Sequence, residues 1–147
     1  MAGVSFKITE DNRDKVRAAL KTAALNGLNA IGAAVAKHAS ENAVRDTGAL
    51  ADSMIYYGDH ESVSISSMVE YAPYVELGTG PNYQAPPAWI TNSAQRGHHD
   101  TAPWWYMDDN GEWQRGWFVT ARPFLRPAME DHADEYKGLL ENALKNA

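Results

Sequence analysis

Apolar positions along this chain recur with two different periods, and the change from one to the other marks out its elements. Val4, Phe6 and Ile8 alternate with small or polar residues, a period of two that suggests a short strand or, given its length, an extended arm. From Asn12 the period becomes helical. Val16, Leu20, Ala24, Leu28, Ile31 and Val35 follow one another at three- or four-residue spacing and share one helix face. Asp11 or Asn12 can cap the start. The pattern predicts a single helix over about 12–43, buried along that face and long enough to span the whole domain. Ala18, Ala19, Ala23, Ala30, Ala33, Ala34, Ala36 and Ala39 keep its remaining surface smooth. Gly27 and Gly32 each cost about 1 kcal/mol against alanine and are read as points of close packing or a bend.

Thr47-Gly48 ends the helix, and the period of two returns. Met54, Ile55, Tyr56 and Tyr57, then Val63 and Ile65, flank the turn Gly58-Asp59-His60-Glu61, which predicts a hairpin with strands over about 53–69. The hairpin leads into Tyr71-Ala72-Pro73-Tyr74-Val75-Glu76-Leu77-Gly78-Thr79. Pro73 bends the chain away from the preceding strand, and Tyr74, Val75 and Leu77 suffice for one helical turn closed by Gly78. Residues 80–96 are a loop, broken by Pro81, Pro86 and Pro87. Trp104 to Met107 and Trp113 to Val119 flank Asp108-Asp109-Asn110-Gly111 and predict a second, tryptophan-rich hairpin over about 104–119. Pro127 fits the first turn of a C-terminal helix over about 127–145, whose apolar face is Ala128, Met129, Ala133, Tyr136, Leu139, Leu140, Ala143 and Leu144. The fold class is therefore α+β, one domain over residues 1–147: a long N-terminal helix against a small antiparallel sheet made from the two hairpins, with a C-terminal helix packed nearby.

Composition narrows the function more than the fold. A chain of 147 residues buries roughly 70% of its unfolded surface in one core. It has no cysteine, so disulfides and thiolate metal sites are excluded. No leader-like start and no apolar run of membrane-spanning length is present, and a soluble, unprocessed chain is expected. The formal charge is -6, and no cluster of Lys and Arg offsets it locally, which argues against sequence-specific nucleic-acid binding.

Candidate chemistry is sparse. His98-His99-Asp100 is a weak metal motif, because adjacent loop residues point apart. Gly78-Thr79-Gly80 lacks the lysine and spacing of a phosphate loop. Glu76 has no nucleophile or second carboxylate in its neighbourhood of sequence. No catalytic residue, cofactor or metal is expected. Glu76 sits between Val75 and Leu77, so it should be partly desolvated and need a cation or backbone donors, with Arg122 or Arg126 the candidate partner. Trp104, Trp105, Trp113 and Trp117 are more rings than a two-stranded ribbon buries alone. Three readings stay open for them: packing on the domain's own sheet, a protein interface, or a platform for sugar rings.

Thr47-Gly48-Ala49-Leu50, Tyr71 to Thr79 and Ala121-Arg122-Pro123-Phe124-Leu125-Arg126-Pro127-Ala128 together carry a resemblance. The order tyrosine-alanine, valine-glutamate-leucine-glycine-threonine, then proline-phenylalanine-leucine-x-proline-alanine is similar to the HK97-type tail-component family of tailed-phage proteins. The resemblance implies a non-enzymatic virion protein, in the host cytoplasm during assembly, that forms a ring at the neck or head-proximal tail end. A hexamer is favoured, with other phage neck and tail proteins as partners. Tyr71, Tyr74, Glu76, Gly78, Thr79, Arg122, Phe124 and Arg126 are the expected fold-locking or interface residues. The alternative from another class is a carbohydrate-binding module using the tryptophan hairpin; a small hydrolase is a more distant third.

Overall fold

The long helix forms where the periodicity places it. In the computed structural model, which describes residues 7, 10–90, 105–115 and 118–147, α1 runs Arg13–Asn42, 30 residues or about 45 Å. Asp11, not Asn12, serves its first turn: the Asp11 carboxylate accepts from the Arg13 backbone N–H at 3.1 Å and from the Arg13 guanidinium. The proposed arm at Val4, Phe6 and Ile8 lies outside the described residues.

After α1 come α2 (Ala49–Asp52), the strands β1 (Met54–Gly58) and β2 (Val63–Ser67), and α3 (Ala72–Leu77). Beyond a 3-10 turn at Gly80–Asn82 lie β3 (Trp105–Met107), β4 (Trp113–Arg115), α4 (Leu125–Glu130) and α5 (Ala133–Lys145). The class is α+β: a long N-terminal helix, a two-stranded antiparallel sheet and a C-terminal helix. β1 pairs with β2 from Met54↔Ser67 to Gly58↔Val63, and β3 pairs with β4 from Trp105↔Arg115 to Met107↔Trp113.

Three expectations are corrected. The hairpins form two separate two-stranded sheets rather than one. The C-terminal helix starts earlier and is split. Leu125 and Arg126 precede Pro127, which occupies the third position, where its missing N–H is no loss. His132, at φ -117 and ψ 22, then breaks the helical path. The break lets the Tyr136 hydroxyl donate to the Ala128 carbonyl across the joint. The 80–96 loop is irregular over 83–90 but tied down, with the Gln84 N–H donating to the Leu77 carbonyl at 2.6 Å and Ile90 buried; residues 91–96 lie outside the described residues.

The third correction concerns the buried face of α1. Val16 is 54% exposed and Leu20 48% exposed. The buried positions are Ala23, Gly27, Gly32, Val35, Ala36 and Ala39. Both glycines are contact points: a Cβ on Gly27 would lie 2.8 Å from Leu140 Cδ1 of α5, and one on Gly32 would lie 2.6 Å from the Tyr56 ring of β1. Smallness along α1 thus marks where neighbours approach. The core gathers on its C-terminal half, where Val35, Ala39 and Ala43 meet Leu50, Ala51, Ala72, Phe124, Ala128 and Tyr136.

Candidate functional site

Two stretches that carry the resemblance meet in space, and a carboxylate joins them. α3 is the single helical turn expected, with Pro73 in its first turn and Gly78 as C-cap at φ 73. A Cβ on Gly78 would lie 2.9 Å from both the Val119 carbonyl oxygen and the Ala121 nitrogen, so a larger residue would be excluded by the backbone alone. Thr79 locks the same crossing. Its N–H donates to the Val119 carbonyl at 2.9 Å, and its Oγ1 accepts from the Val119 N–H at 2.8 Å. The Arg122 N–H donates to the Val75 carbonyl at 2.7 Å.

Glu76 projects from α3 onto the start of α4. Its Oε2 accepts from the N–H groups of Phe124 and Leu125 at 2.7 and 2.8 Å, and its Oε1 from that of Arg126 at 3.0 Å. These are the N-terminal donors that a helix cannot satisfy internally, and the next residue, Pro127, has none. The residue is only 3% exposed, and the helix's dipole favours negative charge at this end. Glu76 is thus a tertiary N-cap. The expected pairing with Arg122 or Arg126 is corrected: backbone donors, not a guanidinium, satisfy the carboxylate, because they lie where the carboxylate points. Arg122 is exposed. Arg126 Nε and Nη2 are buried and have no partner among the described residues.

Of the other motif residues, Phe124 is buried in the core, Tyr74 is half-buried, and Tyr71 is exposed at the N-cap of α3. Glu76 borders a cleft of mixed character, where Met54, Ile65, Trp89 and Phe124 stand beside Ser64, Ser66, Ser67 and Glu70. Both its oxygens are occupied by amide donors, so nothing in this arrangement readies it for proton transfer.

Among the described residues the tryptophan hairpin pairs Trp105–Met107 with Trp113–Arg115. Trp113 is 64% exposed, whereas Trp104, Trp117 and the Trp105 side chain lie outside the described residues. Asp108 builds the turn: its Oδ1 accepts from the N–H groups of Asn110 and Glu112 at 3.0 and 2.9 Å, and its Oδ2 from Gln114 Nε2 at 3.0 Å. The Glu112 N–H first, then the Gln114 amide, lower its pKa. Asp59 does the same for the β1–β2 turn, its pKa lowered by the N–H groups of Glu61 and Ser62.

A second polar cluster was not anticipated from the sequence. His38 of α1 and His132 of the α4–α5 joint stack with ring centroids 3.6 Å apart and planes within 4°. Glu135 Oε2 lies 2.9 Å from His38 Nε2 and 3.6 Å from His132 Nδ1, and Glu41 Oε2 lies 3.5 Å from His38 Nδ1. Burial, with a contribution from Glu135, pushes the adjacent Tyr136 phenol up to about 12. The available signal was a repeated tetrapeptide, His38-Ala39-Ser40-Glu41 and His132-Ala133-Asp134-Glu135, which puts His and Glu on one helix face three residues apart. His98-His99-Asp100, the only metal motif weighed from sequence, lies outside the described residues.

Exposed apolar groups concentrate elsewhere. Val16, Leu20 and Ala24 line an open groove along the first turns of α1, with His60 of the β1–β2 turn on its edge. Ile55, Tyr57 and Met68 are exposed on or beside the hairpin. Among the described residues no helix is long and apolar enough to cross a membrane. Comparison of the chain with protein-family models, with curated proteins and with solved structures returns no match.

Proposed function

We propose that this protein is a non-catalytic structural subunit of a tailed phage or prophage particle, assembling as a ring at the neck or head-proximal tail end. The observation that carries the assembly part is the bare first third of α1. Every residue from Arg13 to Thr22 is exposed, including Val16 and Leu20, on a helix that is packed from Ala23 onward. Such a lever of about 15 Å has no place in the core formed by the described residues, and Val16 and Leu20, about half exposed, gain roughly 1 kcal/mol each when a partner covers what is left. A ring built from identical subunits needs a heterologous contact of this kind, one patch on a different patch of the next copy. The phage part rests on the sequence resemblance, whose two motif stretches are the ones that Glu76 and the Val75 carbonyl hold together.

The test is to purify the chain and measure its mass by sedimentation and its shape by negative-stain imaging. Closed rings, with six subunits favoured, support the reading; a chain that stays monomeric at about 100 µM, well above the dissociation constants of stable complexes, speaks against it. Exposed Trp113 favours a second reading, a sugar-binding ribbon. Titration with soluble oligosaccharides, read by tryptophan fluorescence, separates the two: saturable quenching by sugar in a monomeric chain supports the second.

A further inference from the structure

We propose that His38, His132 and Glu135 form a binding site for a divalent transition metal of zinc's kind, which pins the α4–α5 joint to α1. One ligand atom from each of the three residues lies within 4.8 Å of the others. Two imidazoles and a carboxylate are the donor set of open zinc sites, in which three protein ligands leave one position for water.

The surroundings fit this better than an ordinary surface cluster. His38 is presented with its two nitrogens already divided: Nδ1 faces Glu41 at 3.5 Å while Nε2 faces Glu135 at 2.9 Å. A carboxylate on the far nitrogen is what orients a metal-binding imidazole and leaves the near nitrogen's lone pair directed at the ion. Glu135 has no Lys or Arg within 4 Å among the described residues; both its ion-pair contacts are imidazoles. A cation bound between the imidazoles would give this carboxylate a full charge partner. Tyr136, tilted against both rings, has its hydroxyl donated to the Ala128 carbonyl and does not compete for the ion.

Access and adjustment are also in place. The His38 side chain is 16% exposed and fixed on the packed part of α1, whereas those of His132 and Glu135 are 35% and 46% exposed, open to an ion and to its water. The parallel stack directs the two in-plane lone pairs side by side, so one ring turns for both to converge at bonding distance, about 2.0–2.1 Å. His132 is that ring, since it sits at the break between helices. Binding would close the joint, because His132 and Glu135 belong to the C-terminal pair and His38 to α1.

The site is independent of the assembly reading, and so is its test. The tag-free full chain is titrated with zinc by calorimetry and with cobalt by visible absorption. One ion per chain is expected, with cobalt bands of four-coordinate N,O ligation, and zinc should raise the melting temperature. His132→Gln and Glu135→Gln should each weaken binding by at least tenfold and abolish the melting shift. Glu41→Gln should weaken it by about tenfold through His38. Melting in chelator checks that each variant folds; should His38→Gln fail to fold, His132→Gln on the open joint still decides. A His98→Ala, His99→Ala double variant should bind normally. No binding up to about 100 µM zinc, or binding that survives His132→Gln and Glu135→Gln, would overturn the site, as would binding lost only in the His98, His99 variant.

Discussion

The first third of α1, Arg13 to Thr22, and the remainder carry one apolar period and have opposite surroundings, the first third also holding five of the helix's seven Asp, Glu, Lys and Arg residues. In the C-terminal half Val35 and Ala39 are wholly buried against Leu50, Phe124, Ala128 and Tyr136. In the first third Val16 and Leu20 follow the same period and face solvent. A helical period therefore fixes which residues share a face but not whether anything covers it. The packed part supplies the costly nucleus, and the bare first third extends from it at one hydrogen bond per residue. We take the packed part as fold and the bare third as docking surface, and the two should respond to substitution in opposite ways.

The largest effect is expected in the packed part. Val35→Asp places a carboxylate in a site with no exposure and should cost more than about 4 kcal/mol, enough to unfold the subunit. Circular dichroism and a chemical melt check this; a folded variant of normal stability would contradict the assignment of the core. Next comes the clamp that holds α3 to α4. Glu76→Gln turns one of the two accepting oxygens into a donor facing backbone N–H groups, at a cost of roughly 3 kcal/mol. By contrast Arg126→Ala removes buried nitrogens that have no partner among the described residues, and should leave stability within about 1 kcal/mol or raise it. A loss on Arg126→Ala that is as large as the Glu76→Gln loss, and not additive with it, would restore an ion pair that the geometry does not contain.

What was legible in the sequence follows from how local each signal is. The extent of α1, the first hairpin, the turn at Ala72–Leu77 closed by Gly78, and the need of Glu76 for donors all rest on neighbours in sequence, and each is found. The split at His132 was not legible, because Ala128 to Leu144 keeps a helical period across it, while the residue at the break packs on a distant element, the His132 ring stacking on His38 of α1. The partner of Glu76 was misread for a related reason. Side chains suggested a guanidinium, while the donors are main-chain amides that only the arrival of α4 creates. The His38, His132 and Glu135 cluster joins residues 97 positions apart, and only the repeat of His-Ala-x-Glu hinted at it.

The smallest effect is a pH dependence confined to the two turns. Asp59 and Asp108 have lowered pKa values because backbone N–H groups favour their ionised forms. Their contribution is complete above the unfolded value of about 3.9 and is lost as pH falls below it through the folded values. Amide exchange at Glu61, Ser62 and Glu112 should therefore accelerate below about pH 4, beyond the intrinsic pH trend of exposed amides, while Glu61 and Ser62 in Asp59→Asn, and Glu112 in Asp108→Asn, lose that excess. No excess in the parent chain would mean that the carboxylates do not hold the turns.

The most direct test of the central claim is the pair Val16→Asp and Leu20→Asp, made together and measured for melting and for sedimentation in one preparation. Both side chains are about half exposed, so subunit stability should change by no more than about 0.5 kcal/mol per site. Assembly should be lost, leaving a folded monomer in place of the ring proposed for the parent chain. A variant that assembles like its parent, or one that melts as early as Val35→Asp, would contradict the division of α1 into a packed part and a docking part.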